Sequence, residues 1–432
     1  MNSYKDSGVP WFGKVPHHWD VLRLGALLKE RGEVNRGRKT ENILSVMRDV
    51  GVINYEDKGN VGNKKSEDIE RYKIVREGDI VVNSMNVIIG SVGIAKENGA
   101  LSPVYLVFRA ADDSISTKYY NYIFMVKTFQ RSLVRIGYGI LDHRMRIPVT
   151  LLRQEPLPKP PREEQDAIVS FLDSKLADID RYITEKERLI ELLQEQKTAI
   201  INQAVTKGIN SQVRMKDSGI EWLGEIPEHW EVMKLARLAL LLQTGPFGSQ
   251  LHQSDYIEGG RPSINPLHMI NGRIVPDFAT SIDEKAFERL QRHALKEGDV
   301  IFARRGEMGR CALVTSKEVG WLCGTGSLLM RPKENMINAG YLVLVFLHSK
   351  ISEHLSLMSV GSTMENLNTG ILARLDLPIP SLDEQQQIID FIEKTSTEIG
   401  MAINRTYEEI DLVREYRTAL IAEAVTGKID VR

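Results

Sequence analysis

Lys5-Asp6-Ser7-Gly8-Val9-Pro10-Trp11-Phe12-Gly13-Lys14-Val15-Pro16-His17-His18-Trp19 returns 211 residues later as Lys216-Asp217-Ser218-Gly219-Ile220-Glu221-Trp222-Leu223-Gly224-Glu225-Ile226-Pro227-Glu228-His229-Trp230. A second block repeats at a larger offset. Leu157-Pro158-Lys159-Pro160-Pro161-Arg162-Glu163-Glu164-Gln165 answers Leu377-Pro378-Ile379-Pro380-Ser381-Leu382-Asp383-Glu384-Gln385, 220 residues on, and that register holds to Ala204-Val205-Thr206 and Ala424-Val425-Thr426. Between the blocks the halves are nearly unrelated, apart from Glu77-Gly78-Asp79 against Glu297-Gly298-Asp299, each leading into an apolar run. Two such long copies do not make a solenoid. Drift after duplication should not spare both flanks while erasing the centre. Common ends with divergent centres point to one shared mechanical task and two different recognition tasks.

Past each second block the sequence predicts a long helix. Pro160 and Pro161 punctuate the first, and Arg162-Glu163-Glu164 supplies acids to its N-terminus. Ile168, Leu172, Leu176, Ile179, Ile183, Ile190, Leu193, Ile200 and Ala204 follow an alternating four-three spacing, interrupted by Lys186 and Lys197. Ile388, Ile392, Ile399, Ile403, Ile410, Val413, Leu420 and Ala424 do the same, interrupted by Thr406 and Arg417. Gly208 and Gly427 stand where C-terminal caps belong. A helix of about 45 residues rises roughly 70 Å. A narrow stripe over that length predicts a coiled coil in which each copy partners the other, although an ordinary bundle would also accept two such helices. The expected seam sets Ile179, Ile183, Ile190 and Leu193 against Ile399, Ile403, Ile410 and Val413. An antiparallel pairing buries both stripes with the simplest symmetry.

The expected fold class is therefore α+β. Two mixed α/β domains, within residues 1–155 and 211–376, are separated by long helices within 156–210 and 377–432 that pair as an antiparallel coiled coil. Ile80–Val82, Val104–Phe108 and Val300–Phe302 have strand character, and Tyr119–Val134 and Ala339–Leu357 have helical spacing.

Composition narrows the function. With 42% apolar and 26% charged residues, the chain can build a core and is not a disordered segment. The net charge of −2 hides an uneven division: residues 20–155 sum to +5 and 231–376 to +1, whereas 162–208 and 382–428 sum to −3 and −5. Two cysteines, Cys311 and Cys323, make neither a disulfide framework nor a zinc site, and no metal is expected. The longest apolar-rich run, Tyr341–His348, is too short for a bilayer, and Met1–Asp6 lacks the apolar core of a signal peptide. A cytoplasmic location is expected. No phosphate loop, dinucleotide fingerprint or nucleophile elbow appears, and Asn265-Pro266 continues as Leu267-His268 rather than as a methyltransferase loop. No catalytic residue is assigned.

Nucleic acid suits the centres better. Arg131, Arg135, His143, Arg144, Arg146 and Arg153 cluster near the end of the first, around Tyr138. Arg304-Arg305-Gly306-Glu307-Met308-Gly309-Arg310 follows a predicted strand in the second, and Gly361-Ser362-Thr363-Met364-Glu365-Asn366-Leu367-Asn368 is a polar loop able to read base edges.

Together these segments, with Thr244-Gly245-Pro246-Phe247-Gly248-Ser249, resemble the specificity (S) subunit of type I restriction–modification systems over essentially the whole chain. The resemblance implies that each centre reads one half of a bipartite target in double-stranded DNA. It implies that the helices set the spacing and dock two modification (M) subunits. S-adenosylmethionine would then belong to the M subunits, ATP and Mg to restriction (R) subunits, and no cofactor to this chain. The implied DNA contacts are Asn83, Ser84, Asn86, Tyr138, His143, Arg144 and Arg146 in the first centre. In the second they are Ser249, Gln250, Arg304, Arg305, Ser362, Thr363, Asn366 and Asn368. The first centre lacks the Gly-Pro-Phe-Gly and Arg-Arg-Gly segments, with Asn83-Ser84-Met85-Asn86 near the latter position, so the two half-sites should differ. A coiled-coil adaptor without DNA specificity and a stand-alone DNA methyltransferase or nuclease are the competing classes.

Overall fold

The computed structural model describes residues 3–48, 50–59, 64–139, 145–358 and 367–431, with Ser249 described by its backbone alone. The chain divides into two units, Met1–Glu187 with Tyr407–Arg432, and Arg188–Thr406. Each unit holds one divergent centre and one stretch of each long helix, Arg162–Lys207 and Leu382–Val425.

In the first unit the opening repeat forms a hairpin, Tyr4–Asp6 against Lys14–Pro16. Asp20–Arg23 then pairs antiparallel with Pro156–Lys159, which pins together the two ends of the divergent centre. The middle of that centre is an antiparallel sheet in the order Leu28–Glu30, Tyr105–Ala110, Ile80–Asn83, Val92–Ile94. Ile80, Val81 and Val82 are buried on both faces, which explains why that strand reads as a continuous apolar run. The predicted helix over Tyr119–Val134 breaks at Val126 into Thr117–Met125 and Lys127–Ser132. The break lets Phe124 and Phe129 meet edge to face, 5.4 Å apart, and the Gln130 side chain donates to the freed Phe124 carbonyl at 2.9 Å.

The second unit repeats this frame around a different filling. Met215–Asp217 pairs with Glu225–Pro227, and Glu231–Lys234 pairs with Asp376–Ile379. Its sheet runs Ala239–Thr244, Ser327–Pro332, Val300–Ala303, Cys311–Leu313. A further sheet, absent from the first centre among the described residues, joins Tyr256–Ile257, Ser281–Ile282, Arg261–Ile264 and Leu322–Cys323, the last pair parallel. The predicted helix over Ala339–Leu357 is likewise two, Ala339–Phe346 and Ser349–Met358.

The long helices pair antiparallel within each unit. In the first, Ile168, Leu172, Leu176 and Ile179 share a core with Leu420, Ile421, Ala424 and Val425. In the second, Ile201, Ala204 and Val205 share one with Ile388, Ile389 and Ile392. Of the expected seam, Ile179, Ile190, Ile399 and Ile410 are buried, and Ile183, Leu193, Ile403 and Val413 half-buried. The interruptions have local partners: Lys186 reaches Glu409 at 2.6 Å, Arg417 pairs with Asp180, and the Thr406 hydroxyl donates to Ala402 O at 2.9 Å.

The repeated Pro-x-His-Trp segments explain their own duplication. Glu164, in the first turn of its helix, accepts from Trp19 Nε1 at 2.8 Å and bonds His18 at 2.7 Å, while Glu384 bonds His229 at 2.9 Å. Gly427 and Gly208 end the helices in the left-handed region, φ +71° and +73°. A Cβ on Gly427 would meet Pro16 and Trp19, and one on Gly208 would meet Trp230 and Glu384. Each Trp thus receives the start of one long helix and the end of the other.

Candidate nucleic-acid interface

The two divergent centres present different residues at the same point of a common frame. In the first unit Asn83 ends the strand Ile80–Asn83, and the next carbonyl, Ser84 O, accepts from Ile147 N at 2.8 Å. In the second, Ala303 ends Val300–Ala303, and Arg304 O accepts from Leu367 N at 2.9 Å. Both members of this main-chain clasp are related by the same 220-residue offset as the long helices. Ser84 and Arg304 are therefore structural equivalents with unrelated side chains.

Around Ser84, the candidate residues divide by exposure. Asn83 is buried and its carboxamide oxygen accepts from Met85 N at 3.1 Å; Ser84 is buried and donates to Val104 O at 2.8 Å. Asn86 is half-buried in the same turn. Tyr138 and Arg146 pair through two 2.9 Å backbone bonds and are exposed, Tyr138 by 67%. Because Ile147 holds Ser84 O, this ribbon lies against the Asn83–Asn86 turn. His143 and Arg144 fall outside the described residues. Of the remaining arginines, Arg135 pairs with Glu155 at 2.6 Å.

The second unit gathers four loops. Arg304 N donates to Gly326 O at 2.9 Å, Gly326 N donates to Asn265 Oδ1 at 3.2 Å, and Gly245 N donates to Ser327 O at 2.9 Å. Close approach demands glycine here: a Cβ on Gly245 would lie 2.0 Å from Gly324 O, and one on Gly324 2.5 Å from Asn265 Oδ1. Arg305 is exposed. Arg304 is half-buried, and its Nε has no hydrogen-bond partner among the described residues. Gln250 is half-buried beside the exposed Phe247, and Ser249 lies in the same turn. Asn368 is exposed, but its side chain caps the helix Thr369–Arg374 by accepting from Ile371 N at 2.9 Å. Ser362, Thr363 and Asn366 fall outside the described residues.

Two residues of this cluster, Asn265 and Leu267, escape a reading of the sequence, while Arg310 closes the arginine run noted there. Asn265-Pro266 was informative only as a failed methyltransferase loop, and the signal that places it here is the trio Gly245, Gly324 and Gly326, which lets three chain segments stack. Arg310 reaches Glu307 at 2.9 Å and Pro266 O at 3.5 Å.

Among the described residues no group of His, Cys, Asp and Glu is arranged to hold a metal, and no helix is long and apolar enough to cross a membrane. Burial pushes the Cys311 and Cys323 thiols far above their ordinary range, which keeps them protonated and unreactive.

Residues 227–410 match the family described as type I restriction modification DNA specificity domain. The type I restriction enzyme MjaVIII specificity subunit of Methanocaldococcus jannaschii is 22% identical over 433 residues, covering 97% of this chain and 95% of that protein. The EcoBI specificity subunit of Escherichia coli is 22% identical over 282 residues, covering 63% and 58%. Two solved chains share the fold. One, from work on complex assembly and conformational transition of the type I R-M system, superposes with a TM-score of 0.71 at 14% identity over 96% of this chain and 99% of its own. The HsdS subunit from Thermoanaerobacter tengcongensis gives 0.60 at 15% over 96% and 98%. With the duplicated frame and the paired helices, the chain is similar over almost its whole length to type I restriction–modification specificity subunits, and residues 227–410 match their DNA specificity domain.

Proposed function

We propose that this chain is the non-catalytic DNA-reading subunit of a type I restriction–modification complex, each centre recognising one half of a bipartite, asymmetric target. The observation that carries the reading is the clasp at Ser84–Ile147 and Arg304–Leu367: one frame, repeated, holding chemically unlike residues at the same place. A frame that only bound protein would gain nothing from such divergence. Arg304 and Arg305 suit bidentate contacts to guanine or phosphate, and Tyr138 and Arg146 offer an aromatic face and a cation from the first unit. Asn83, whose side chain bonds within its own turn, and Ser84, whose hydroxyl donates to Val104 O, position that loop. The paired helices set the interval between half-sites and dock two M subunits, which bring S-adenosylmethionine. R subunits bring ATP and Mg. The cytoplasm, where the DNA is, is the expected compartment.

Expressing the chain with its M subunit and mapping methylated adenines tests this reading. The expected result is one bipartite site with unlike halves and a fixed gap, together with salt-dependent DNA binding. Methylation by the chain alone, or methylation without sequence preference, would overturn it.

A further inference from the structure

Leu267 is 82% exposed, the most exposed large apolar side chain among the described residues. Exposure of this degree on a mobile loop would mean little, but the turn beneath it is over-determined. Pro266 sets the backbone at the start of the single turn Pro266–His268. His268 N donates to Asn265 O at 2.9 Å, the buried His268 ring accepts from Asn265 N at 3.2 Å, and His268 O accepts from Val275 N at 2.8 Å. Asn265 is in turn tied through Gly326 to the backbone of Arg304, and Pro266 O lies 3.5 Å from Arg310. A rigid turn thus holds a bare leucine beside a run of three arginines, Arg304, Arg305 and Arg310.

That combination fits a base edge better than a protein surface. Arginines supply attraction to phosphate and donors to guanine, whereas the one apolar feature that distinguishes a base in the major groove is the thymine 5-methyl group. We propose that Leu267 is a specificity-determining residue that packs on a thymine methyl in the half-site read by the second unit. This rests on the DNA-reading role proposed above. Apolar contact cannot replace a hydrogen bond here, because a leucine offers none; it discriminates thymine from cytosine, which lacks the methyl group. The fixed turn spares binding the cost of ordering its backbone.

The test uses the chain assembled with its M subunits and duplexes in which each thymine of that half-site is replaced in turn by uracil. Removing the methyl from one position should weaken binding about fourfold, what burying one such group is worth. The Leu267→Asn variant should be insensitive to uracil at that position and retain the penalty of other base changes, and Leu267→Met should restore the sensitivity. Equal uracil effects in the parent chain and Leu267→Asn at every position, or a half-site without an A·T pair, would overturn the proposal. So would a loss of subunit assembly in Leu267→Asn without any change in thymine preference. Failure of the underlying reading looks different: an Arg304→Ala, Arg305→Ala variant would then bind the target as the parent chain does, whatever Leu267 contributes.

Discussion

The two units bury the same apolar stripe between their helix segments but differ in the polar groups beside it. In the first, Lys186–Glu409, Arg414–Glu187 and Arg417–Asp180 join the two helices. Among the described residues of the second, no ion pair does so, and the pairing rests on Ile201, Ala204 and Val205 against Ile388, Ile389 and Ile392. The sheets show the same contrast. Asp79 and Asp299 occupy equivalent Glu-Gly-Asp corners, yet Asp79 takes a bidentate partner from Arg31, after the edge strand, while Asp299 takes one from Arg331 on the neighbouring strand. Apolar pattern and main-chain frame are common to both units, whereas the charged groups that lock them are separate solutions. A shared frame tolerates such changes because burial depends on area and shape, while an ion pair needs only some partner within reach.

The largest effect should come from truncating equivalent stripe residues. Leu172→Ala removes a fully buried side chain from the first unit and Ile392→Ala one from the second. Each should cost about 2–5 kcal/mol. Hydrogen exchange should show the loss concentrated in the unit carrying the change; equal loss in both would merge the units into one cooperative body.

Glu164→Ala and Glu384→Ala sharpen the comparison at the repeated tryptophans. Glu164 accepts from the buried Trp19 indole and bonds His18, whereas Glu384 bonds His229 and the Trp230 indole nitrogen has no partner among the described residues. Leaving a buried donor unsatisfied costs about 1–3 kcal/mol, so Glu164→Ala should destabilise more. Chemical denaturation of the two variants measures the difference, and equal costs would remove the indole bond from the account.

Acid should separate the units further. His268, His293 and His348, all in the second, are held below the usual histidine range, chiefly by burial. Each also uses a ring nitrogen as an acceptor, from Asn265 N, Arg292 Nε and Lys350 N. Below about pH 6.5 the unfolded chain takes up protons that these folded rings do not. More protons bound when unfolded means stability falls as pH falls, starting near the ordinary histidine value and complete below the folded ones. Protection in the second unit should therefore drop more than in the first between pH 7 and 5.5; a uniform drop would deny these rings that role.

Salt should have the smallest effect. Raising ionic strength shortens the screening length from about 10 Å at 0.1 M to about 3 Å at 1 M, which weakens the exposed ion pairs of the first helix pairing only. Exchange in residues 178–187 should quicken slightly relative to 195–206, and the opposite order would mean the pairs do not hold the register.

Much of this contrast was legible in the sequence and part was not. The offset of 220, the four-three spacing and Gly208 and Gly427 located both helices and their ends, because periodicity and caps are local properties. The clasp of Ser84 to Ile147 and of Arg304 to Leu367 was hidden, since it joins main-chain atoms distant in sequence and leaves no trace in residue type. The partners of Asp79 and Asp299 were hidden for a related reason: the corners look alike, and only strand register chooses between arginines. The exposure of Leu267 is not legible in residue type, because an isolated leucine normally signals core and its exposure depends on a turn built by Pro266, His268 and two remote glycines.

The central claim, that each unit reads its own half of one DNA target, is tested most directly by exchange. Residues 231–376 run from the strand Glu231–Lys234 to the first residue of its partner Asp376–Ile379, so a foreign recognition segment that keeps this strand pairing can be set into the same frame. Methylated adenines would then be mapped genome-wide in hosts expressing the parent or the exchanged chain with the same M subunit. The account predicts that one half-site changes while the other half-site stays as it was. A target altered on both sides, or on neither with full activity, would contradict it.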